Sequence, residues 1–210
     1  MRNKLIILFL IILGSLLIPI VPMDSYTLHS IIMILFYAYL ATCWNIVGGF
    51  AGQLSLGHSA FLAIGAYTST LLYINLELTP WIGMLIGGLL AALIAVLIGI
   101  PSFRLKGAYY AIATIAFAQG LLVILVTVKN IGSINLGAAE GLMVPLMPDS
   151  TFLDFQFFSK IPYYYIILFF LFVVLFISWW IERSKLGFYL MAVKKDEEAA
   201  QALGINVQKV

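Results

Sequence analysis

The chain has 210 residues, of which 63% are hydrophobic and 10% charged, and its mean hydropathy is +1.10. A soluble domain carries about a quarter charged residues, so this composition excludes a soluble enzyme, a disulfide scaffold and a disordered tail, and it indicates a membrane protein. The formal net charge of only +2 gives no basic excess for binding nucleic acid.

Apolar runs long enough to cross a bilayer occur six times along the chain. A hydrocarbon core of about 30 Å needs about 20 apolar residues in a helix, so we predict an all-α polytopic transmembrane bundle of six spans. The first run ends in Pro19 and Pro22 without small residues at cleavage spacing, which favours a retained span over a secretory signal. The predicted spans are residues 5–21, 28–47, 59–76, 81–100, 108–128 and 162–181, which form a transmembrane region over 1–181, followed by a cytoplasmic segment at 182–210.

The distribution of Lys and Arg predicts the orientation of these spans. When the six spans alternate and the N-terminus is inside, every Lys and Arg except Lys129 and Lys160 lies in a cytoplasmic segment. Because positive charge accumulates in cytoplasmic loops, both ends of the chain are predicted to be cytoplasmic. The long loop at 129–161 is then external. Its aromatic residues suit either a short helix at the membrane interface or an irregular connection, and they are Phe152, Phe155, Phe157 and Phe158.

An uncharged segment with four glycines, residues 48–58, joins the second and third predicted spans. Non-helical backbone at membrane depth is tolerated only where it is buried in protein or faces water. One interpretation is therefore a broken or re-entrant segment that lines a polar path. The other is a tight turn after which His58 caps or packs the next helix. The candidate path residues are Gly52, Gln53, Ser55, Gly57, His58 and Ser59.

The fourth and fifth predicted spans are rich in small residues. In the fourth span they recur at a spacing of four, which predicts close packing of another helix along one edge, and they are Gly83, Gly87, Ala91, Ala95 and Gly99. The fifth span adds the polar residues Thr114 and Gln119. In lipid surroundings Gln119 must form hydrogen bonds, so it is either a contact between helices or a further candidate path residue.

An amphipathic helix is predicted after the sixth span, from Tyr189 to Leu203, with Gly204 in the position of a C-cap. Its apolar residues can face a protein groove while Lys194 and the charged residues after it stay in water. Acidic residues beside the lysines favour a protein partner over anionic lipid as the surface that this helix meets.

The sequence lacks the motifs for several kinds of chemistry. No glycine is followed by lysine, so the chain lacks the P-loop motif for ATP hydrolysis. Cys43, His29 and His58 form no cluster typical of a metal site or of nucleophilic catalysis, so we expect neither a metal nor a catalytic residue. No predicted span contains a carboxylate, which argues against a proton relay.

Three stretches carry a family resemblance. They are NIVGGFAGQLSLGHSAF at residues 45–61, running on to 65–67; FRLKGAYYAIAT at 103–114; and KLG at 185–187 with EEAAQALGINV at 197–207. Together they resemble the permease subunit of a branched-chain amino-acid ABC importer of the LivM type. That family continues into further membrane spans after the last stretch, so the resemblance implies that this chain is C-terminally incomplete.

The resemblance also implies a function and a set of partners. It implies a multi-pass importer subunit in the bacterial cytoplasmic membrane that forms a heterodimer with a sister permease. An external solute-binding protein and two cytoplasmic ATPase subunits would serve it, with ATP and Mg bound on those partners and no cofactor in this chain. The residues that match the ATPase-coupling motif are Glu197, Glu198, Ala199, Ala200 and Gly204.

Other functions remain open from the sequence. A permease for urea or short amides shares the same stretches of sequence. A channel or an ion-coupled carrier would need no ATPase partner, and a membrane scaffold would transport nothing.

Overall fold

The computed structural model describes residues 14–102, 105, 107–132, 134–145 and 152–205. Most of the predicted first span lies outside these residues, as do Arg104, Lys106 and Lys209. Over the described part of the chain, five helices are long and apolar enough to cross a membrane. The prediction of an all-α polytopic fold is therefore confirmed for this part.

We label the helices in chain order. They are α1 (Ser25–Asn45, continued by a π-helical turn at Ile46–Phe50), α2 (His58–Leu76), α3 (Pro80–Ser102), α4 (Ala108–Thr127), α5 (Ile161–Arg183), α6 (Lys185–Lys195) and α7 (Glu197–Ala202). The chain divides into two compact units. The described residues within 1–45 and 157–188 form the first unit, and those within 46–156 and 189–210 form the second.

Helix α1 begins before the apolar run that predicted it. Its first backbone amides are capped by Asp24, whose carboxylate accepts hydrogen bonds from the backbone nitrogens of Tyr26 (3.2 Å) and Thr27 (3.1 Å). The Thr27 hydroxyl also donates to Asp24. A side chain that satisfies the first free N–H groups fixes where a helix starts. Helix α1 therefore starts at Ser25, whereas the predicted span started at residue 28.

In the first unit, α1 packs along α5. Tyr164 is fully buried, and its hydroxyl donates a 2.6 Å hydrogen bond to the carbonyl oxygen of Ser15. The rings of Tyr39 and Phe170 lie 6.3 Å apart between the two helices. This pair of rings lies within the distance range at which aromatic side chains attract each other.

In the second unit, α2 and α3 approach each other closely through glycine. Gly83 and Gly87 are buried, and a Cβ at Gly87 would lie 2.7 Å from the carbonyl oxygen of Gly65. A Cβ at Gly83 would meet the side chain of Ser69 at 2.6 Å. The remaining small residues of this edge, which are Ala91, Ala95 and Gly99, are half-buried. Small residues allow two helix backbones to come together in this way.

The loop after α4 is largely irregular. Its described residues form a two-stranded antiparallel hairpin, β1 (Asn130–Ile131) and β2 (Ile134–Asn135). Short 3-10 turns follow at Ala138–Glu140 and Phe152–Asp154. Leu136 is buried after the hairpin.

The loop is held against the start of α3 by Trp81. The indole ring stacks on Phe152 with centroids 5.1 Å apart, and its Nε1 donates a 3.0 Å hydrogen bond to the Phe152 carbonyl. Phe155 meets the same indole edge-on at 5.2 Å. The short interfacial helix is thus wrong for the described residues, because Phe152 and Phe155 converge on Trp81 instead of lining one face of a helix.

The segment after α5 contains two helices instead of the single helix predicted from Tyr189 to Leu203. Asp196 separates α6 from α7, and its carboxylate accepts a 3.0 Å hydrogen bond from the backbone nitrogen of Ala199. Apolar periodicity continues across this point, but an Asp that caps the next helix ends the previous one. The prediction of a single helix is therefore wrong.

Candidate functional site

The glycine segment, which we define as residues 46–57, leaves α1 through a π-helical turn and then runs without regular structure to α2. Gly52 has a φ of +71°, a backbone angle that residues other than glycine rarely adopt. The backbone nitrogen of Ser55 then donates to the Gln53 carbonyl at 2.9 Å, which closes a three-residue turn. The segment is therefore longer than the tight turn considered from the sequence.

The end of the glycine segment is fixed on α4 by Thr114, which is buried. The backbone nitrogen of Leu56 donates a 3.1 Å hydrogen bond to Thr114 Oγ1, and that hydroxyl donates in turn to the Ala111 carbonyl at 2.8 Å. A Cβ at Gly57 would lie 2.7 Å from the Thr114 carbonyl oxygen. A hydrogen bond and a close backbone contact thus hold this irregular backbone.

Ser55 and His58 lie on either side of this contact. Ser55 is buried, and its side chain shares a hydrogen bond with that of Tyr110 on α4. His58 is half-buried, and its ring meets Phe61 edge-on with centroids 6.4 Å apart. His58 packs here and does not cap, since Gly57 occupies the N-cap position of α2.

One ring nitrogen of His58 stands out among the polar atoms of the site. Nδ1 is buried and has no hydrogen-bond partner among the described residues. Leaving a buried polar atom unpaired costs about 1–3 kcal/mol, so such atoms are uncommon in folded proteins.

The other predicted path residues are more accessible. Gln53 is half-buried, whereas Ser59 and Gln119 are exposed. Gln119 lies on α4 but makes none of the described contacts with the glycine segment. The structure therefore brings Ser55 and Gly57 against α4, whereas Gln119, which lies on that helix, makes no described contact with them.

The role of Thr114 was not predicted from the sequence. Both Thr114 and Gln119 are polar residues in one apolar helix, and only Gln119 was predicted as a candidate path residue. Which residue faces the glycine segment depends on how α4 is rotated against its neighbours, and composition does not report that rotation. Tyr110 was missed for the same reason.

The end of α6 also reaches the glycine segment. The ammonium group of Lys194 donates a 2.8 Å hydrogen bond to the carbonyl oxygen of Gly49. A Cβ at Gly52 would lie 2.5 Å from Lys194 Cγ, so the aliphatic stem of the lysine covers this glycine. The side chain of Lys194 was predicted to lie in water, and nothing in the local sequence pattern signals this long-range contact.

The predicted coupling residues lie on α7 and at its end. Ala199 is exposed, whereas Ala200 is only 2% exposed, so Ala200 packs within the chain instead of presenting a surface. Leu203, one turn after Ala199, is 82% exposed. The side chains of Glu197 and Glu198 lie outside the described residues.

The predicted C-cap at Gly204 is confirmed. Gly204 has a φ of +84°, its nitrogen donates to the Gln201 carbonyl at 2.9 Å, and the nitrogen of Ile205 donates to the Ala200 carbonyl at 3.1 Å. This pair of bonds defines the Schellman motif, which ends a helix sharply.

The described residues contain no group of three or more His, Cys, Asp or Glu side chains that could hold a metal ion. The site is instead built from backbone groups, hydroxyls and one imidazole. Such groups bind small polar molecules through hydrogen bonds.

The family model and the relatives that match this chain point to the same protein family. Residues 26–210 match the family model described as branched-chain amino acid transport system / permease component. The high-affinity branched-chain amino acid transport system permease protein LivM of Escherichia coli is 30% identical over 195 residues, which cover 83% of this chain and 45% of that protein. LivM of Salmonella typhimurium is 29% identical over 199 residues, covering 85% and 46%.

A relative with a different cargo in its name also matches. The nucleoside ABC transporter permease protein NupC of Lactococcus lactis is 27% identical over 169 residues, which cover 74% of this chain and 51% of that protein. The chain thus spans about half the length of the curated relatives it matches. No solved structure matches the chain significantly.

Proposed function

Because the chain belongs to the family of branched-chain amino acid transport system permease components, a family of membrane transport proteins and not of enzymes, we propose that it forms part of the permease subunit of an ABC importer. Its apolar helices make it a multi-pass membrane protein. In the proposed function it moves branched-chain or related amino acids across the bacterial cytoplasmic membrane, with both ends of this chain in the cytoplasm. Partner subunits bind Mg and hydrolyse ATP.

The observation that carries this proposal is the contact between the glycine segment and α4. Irregular backbone at membrane depth requires protein or water around it, and here Leu56 and Gly57 are held on Thr114. A wall of fixed backbone whose own residues carry no charge suits the passage of a zwitterionic solute, because these residues trap neither end of the solute in a strong ion pair. We therefore assign the glycine segment to the translocation path.

The path offers hydrogen bonds to an amino acid. Backbone carbonyls can accept from the solute ammonium, whereas Gln53 and Ser59 can donate to its carboxylate. The unpaired Nδ1 of His58 would gain a partner if a solute or a sister subunit supplied a polar group. The predicted spans contain no carboxylate, so recognition of the ammonium group relies on these neutral acceptors.

The proposed partners meet two different surfaces. Ala199 and Leu203 lie one turn apart and are exposed, so this face of α7 is the proposed contact with an ATPase subunit. Gln119 is exposed on an apolar helix, where lipid would leave its amide unpaired. The proposed sister permease would supply its hydrogen-bond partner, and an external binding protein would deliver the solute.

Uptake into proteoliposomes tests the function directly. The full-length permease is reconstituted with the sister permease, both ATPase subunits and the binding protein, and entry of radiolabelled leucine is measured with and without ATP. We expect uptake that requires ATP and is competed by isoleucine and valine. Uptake without ATP would instead indicate a channel or a carrier.

A nucleoside is the second candidate cargo, because one relative is named as a nucleoside transporter permease. Competition of leucine uptake by uridine would favour it. Urea serves as a further competitor, since a urea permease shares the same stretches of sequence.

The ATPase contact has a matched pair of variants. Ala199→Arg places a large charged side chain on the proposed contact face. Gln201→Arg places the same side chain on an exposed position of the same helix, about 200° around its axis. We expect Ala199→Arg to release the ATPase subunits during purification while Gln201→Arg retains them. Equal retention by both variants would contradict the proposed contact.

A further inference from the structure

Lys194 joins the C-terminal end of α6 to the glycine segment at two points. Its Nζ donates a 2.8 Å hydrogen bond to the Gly49 carbonyl, and its aliphatic stem lies over Gly52. Gly52 combines a φ of +71° with a stem atom 2.5 Å from where a Cβ would stand. Any side chain at residue 52 would therefore meet both backbone strain and the lysine.

The chemistry of this contact favours a link that can open and close. Gly49 lies in the last turn of the helix that ends at Phe50, where carbonyl groups lack helical partners and carry partial negative charge. Lysine supplies a compact positive charge on a flexible stem. Because Lys194 is itself exposed, the hydrogen bond can break without burying an unpaired charge.

The position of Lys194 in the chain places this link next to α7. Lys194 is the next-to-last residue of α6, and α7 begins at Glu197 after the Asp196 cap. At its other end, the glycine segment is held on Thr114 through Leu56 and Gly57. A displacement of α7 therefore reaches α4 through a short series of direct contacts.

We propose that Lys194 is a positioning residue that transmits movement of α7 to the glycine segment. This inference rests on the proposed function, in which an ATPase moves α7 and the glycine segment lines the path. A lysine that only capped a helix would support folding, but its loss would not change how many solute molecules cross for each ATP hydrolysed. The coupling ratio therefore distinguishes the two roles.

The test measures leucine uptake and ATP hydrolysis together in the reconstituted transporter. Lys194→Met keeps most of the stem over Gly52 and removes the ammonium group, whereas Lys194→Arg keeps a positive donor. Lys195→Met is the matched control, because Lys195 is the adjacent exposed lysine. We expect Lys194→Met to lower the number of leucine molecules imported per ATP about tenfold, the lower end of the effect of losing a single hydrogen bond with a charged donor.

The controls define what would overturn the proposal. We expect Lys194→Met to retain its ATPase subunits, Lys195→Met to keep the ratio of the unmodified protein, and Lys194→Arg to restore most of it. An unchanged ratio in Lys194→Met, or a loss of assembly that accounts for the lost uptake, would overturn the role of Lys194 alone. Failure of the unmodified transporter to import leucine with ATP would overturn the proposed function and this inference with it.

Discussion

Gly57 stands against the backbone of Thr114, so that a Cβ at residue 57 would lie 2.7 Å from the Thr114 carbonyl oxygen. Neither partner can move easily, because the oxygen belongs to the backbone of α4. The contact therefore sets how closely the glycine segment approaches α4, and it makes residue 57 intolerant of even a methyl group.

Gly57→Ala is expected to destabilise the protein by about 1–3 kcal/mol, the usual cost of overpacking a tight contact. Thermal unfolding of the purified protein in detergent measures the change. Gly120→Ala is the matched control, because a Cβ at Gly120 on α4 meets nothing within 4 Å. Equal unfolding temperatures for the two variants would show that the close contact has no energetic consequence.

Thr114→Val is expected to free the backbone amide of Leu56. Valine has nearly the shape of threonine but cannot accept the 3.1 Å hydrogen bond from the Leu56 nitrogen, and an unpaired donor costs about 1–3 kcal/mol. Hydrogen exchange at Leu56 should therefore accelerate in Thr114→Val and stay slow in Thr114→Ser, which keeps the hydroxyl. Unchanged exchange in Thr114→Val would contradict the assigned bond.

A structural feature could be predicted from the sequence when it depends on residues that are close together in the chain. Apolar length predicted membrane helices because the bilayer demands it of each helix separately. The C-cap at Gly204 was also predictable, since a Schellman motif is built from neighbouring residues. Thr114 and Lys194 act on residues far away in the chain, so no local pattern indicated their partners. Asp196 lies between these cases, because its capping role is local but apolar periodicity continues across it.

Gly87→Ala is expected to weaken the packing of α2 on α3. The added methyl group would lie 2.7 Å from the carbonyl oxygen of Gly65, which forces the two helix backbones apart. Gly88→Ala provides the control, because Gly88 is exposed and a Cβ there meets nothing within 4 Å. Unfolding in increasing concentrations of SDS should show a lower midpoint for Gly87→Ala only. A similar midpoint for both variants would argue against this close approach.

Acidification is expected to loosen the start of α1 through Asp24. Hydrogen bonds from the side chain and backbone of Thr27 hold the pKa of this carboxyl below its usual value, because they favour the ionised form. A group whose folded pKa is depressed contributes stability that is present above its unfolded pKa, about 3.9 for Asp, and that is lost as the pH falls through the folded pKa. When the pH drops below about 4, protection of the Tyr26 and Thr27 amides from hydrogen exchange, corrected for the intrinsic rate, should therefore decrease.

The control for this prediction is Asp24→Asn. Its side-chain oxygen still caps the helix without titrating, so protection of these amides should not depend on pH in that range. The same acid-dependent loss in Asp24→Asn would assign the effect to another group.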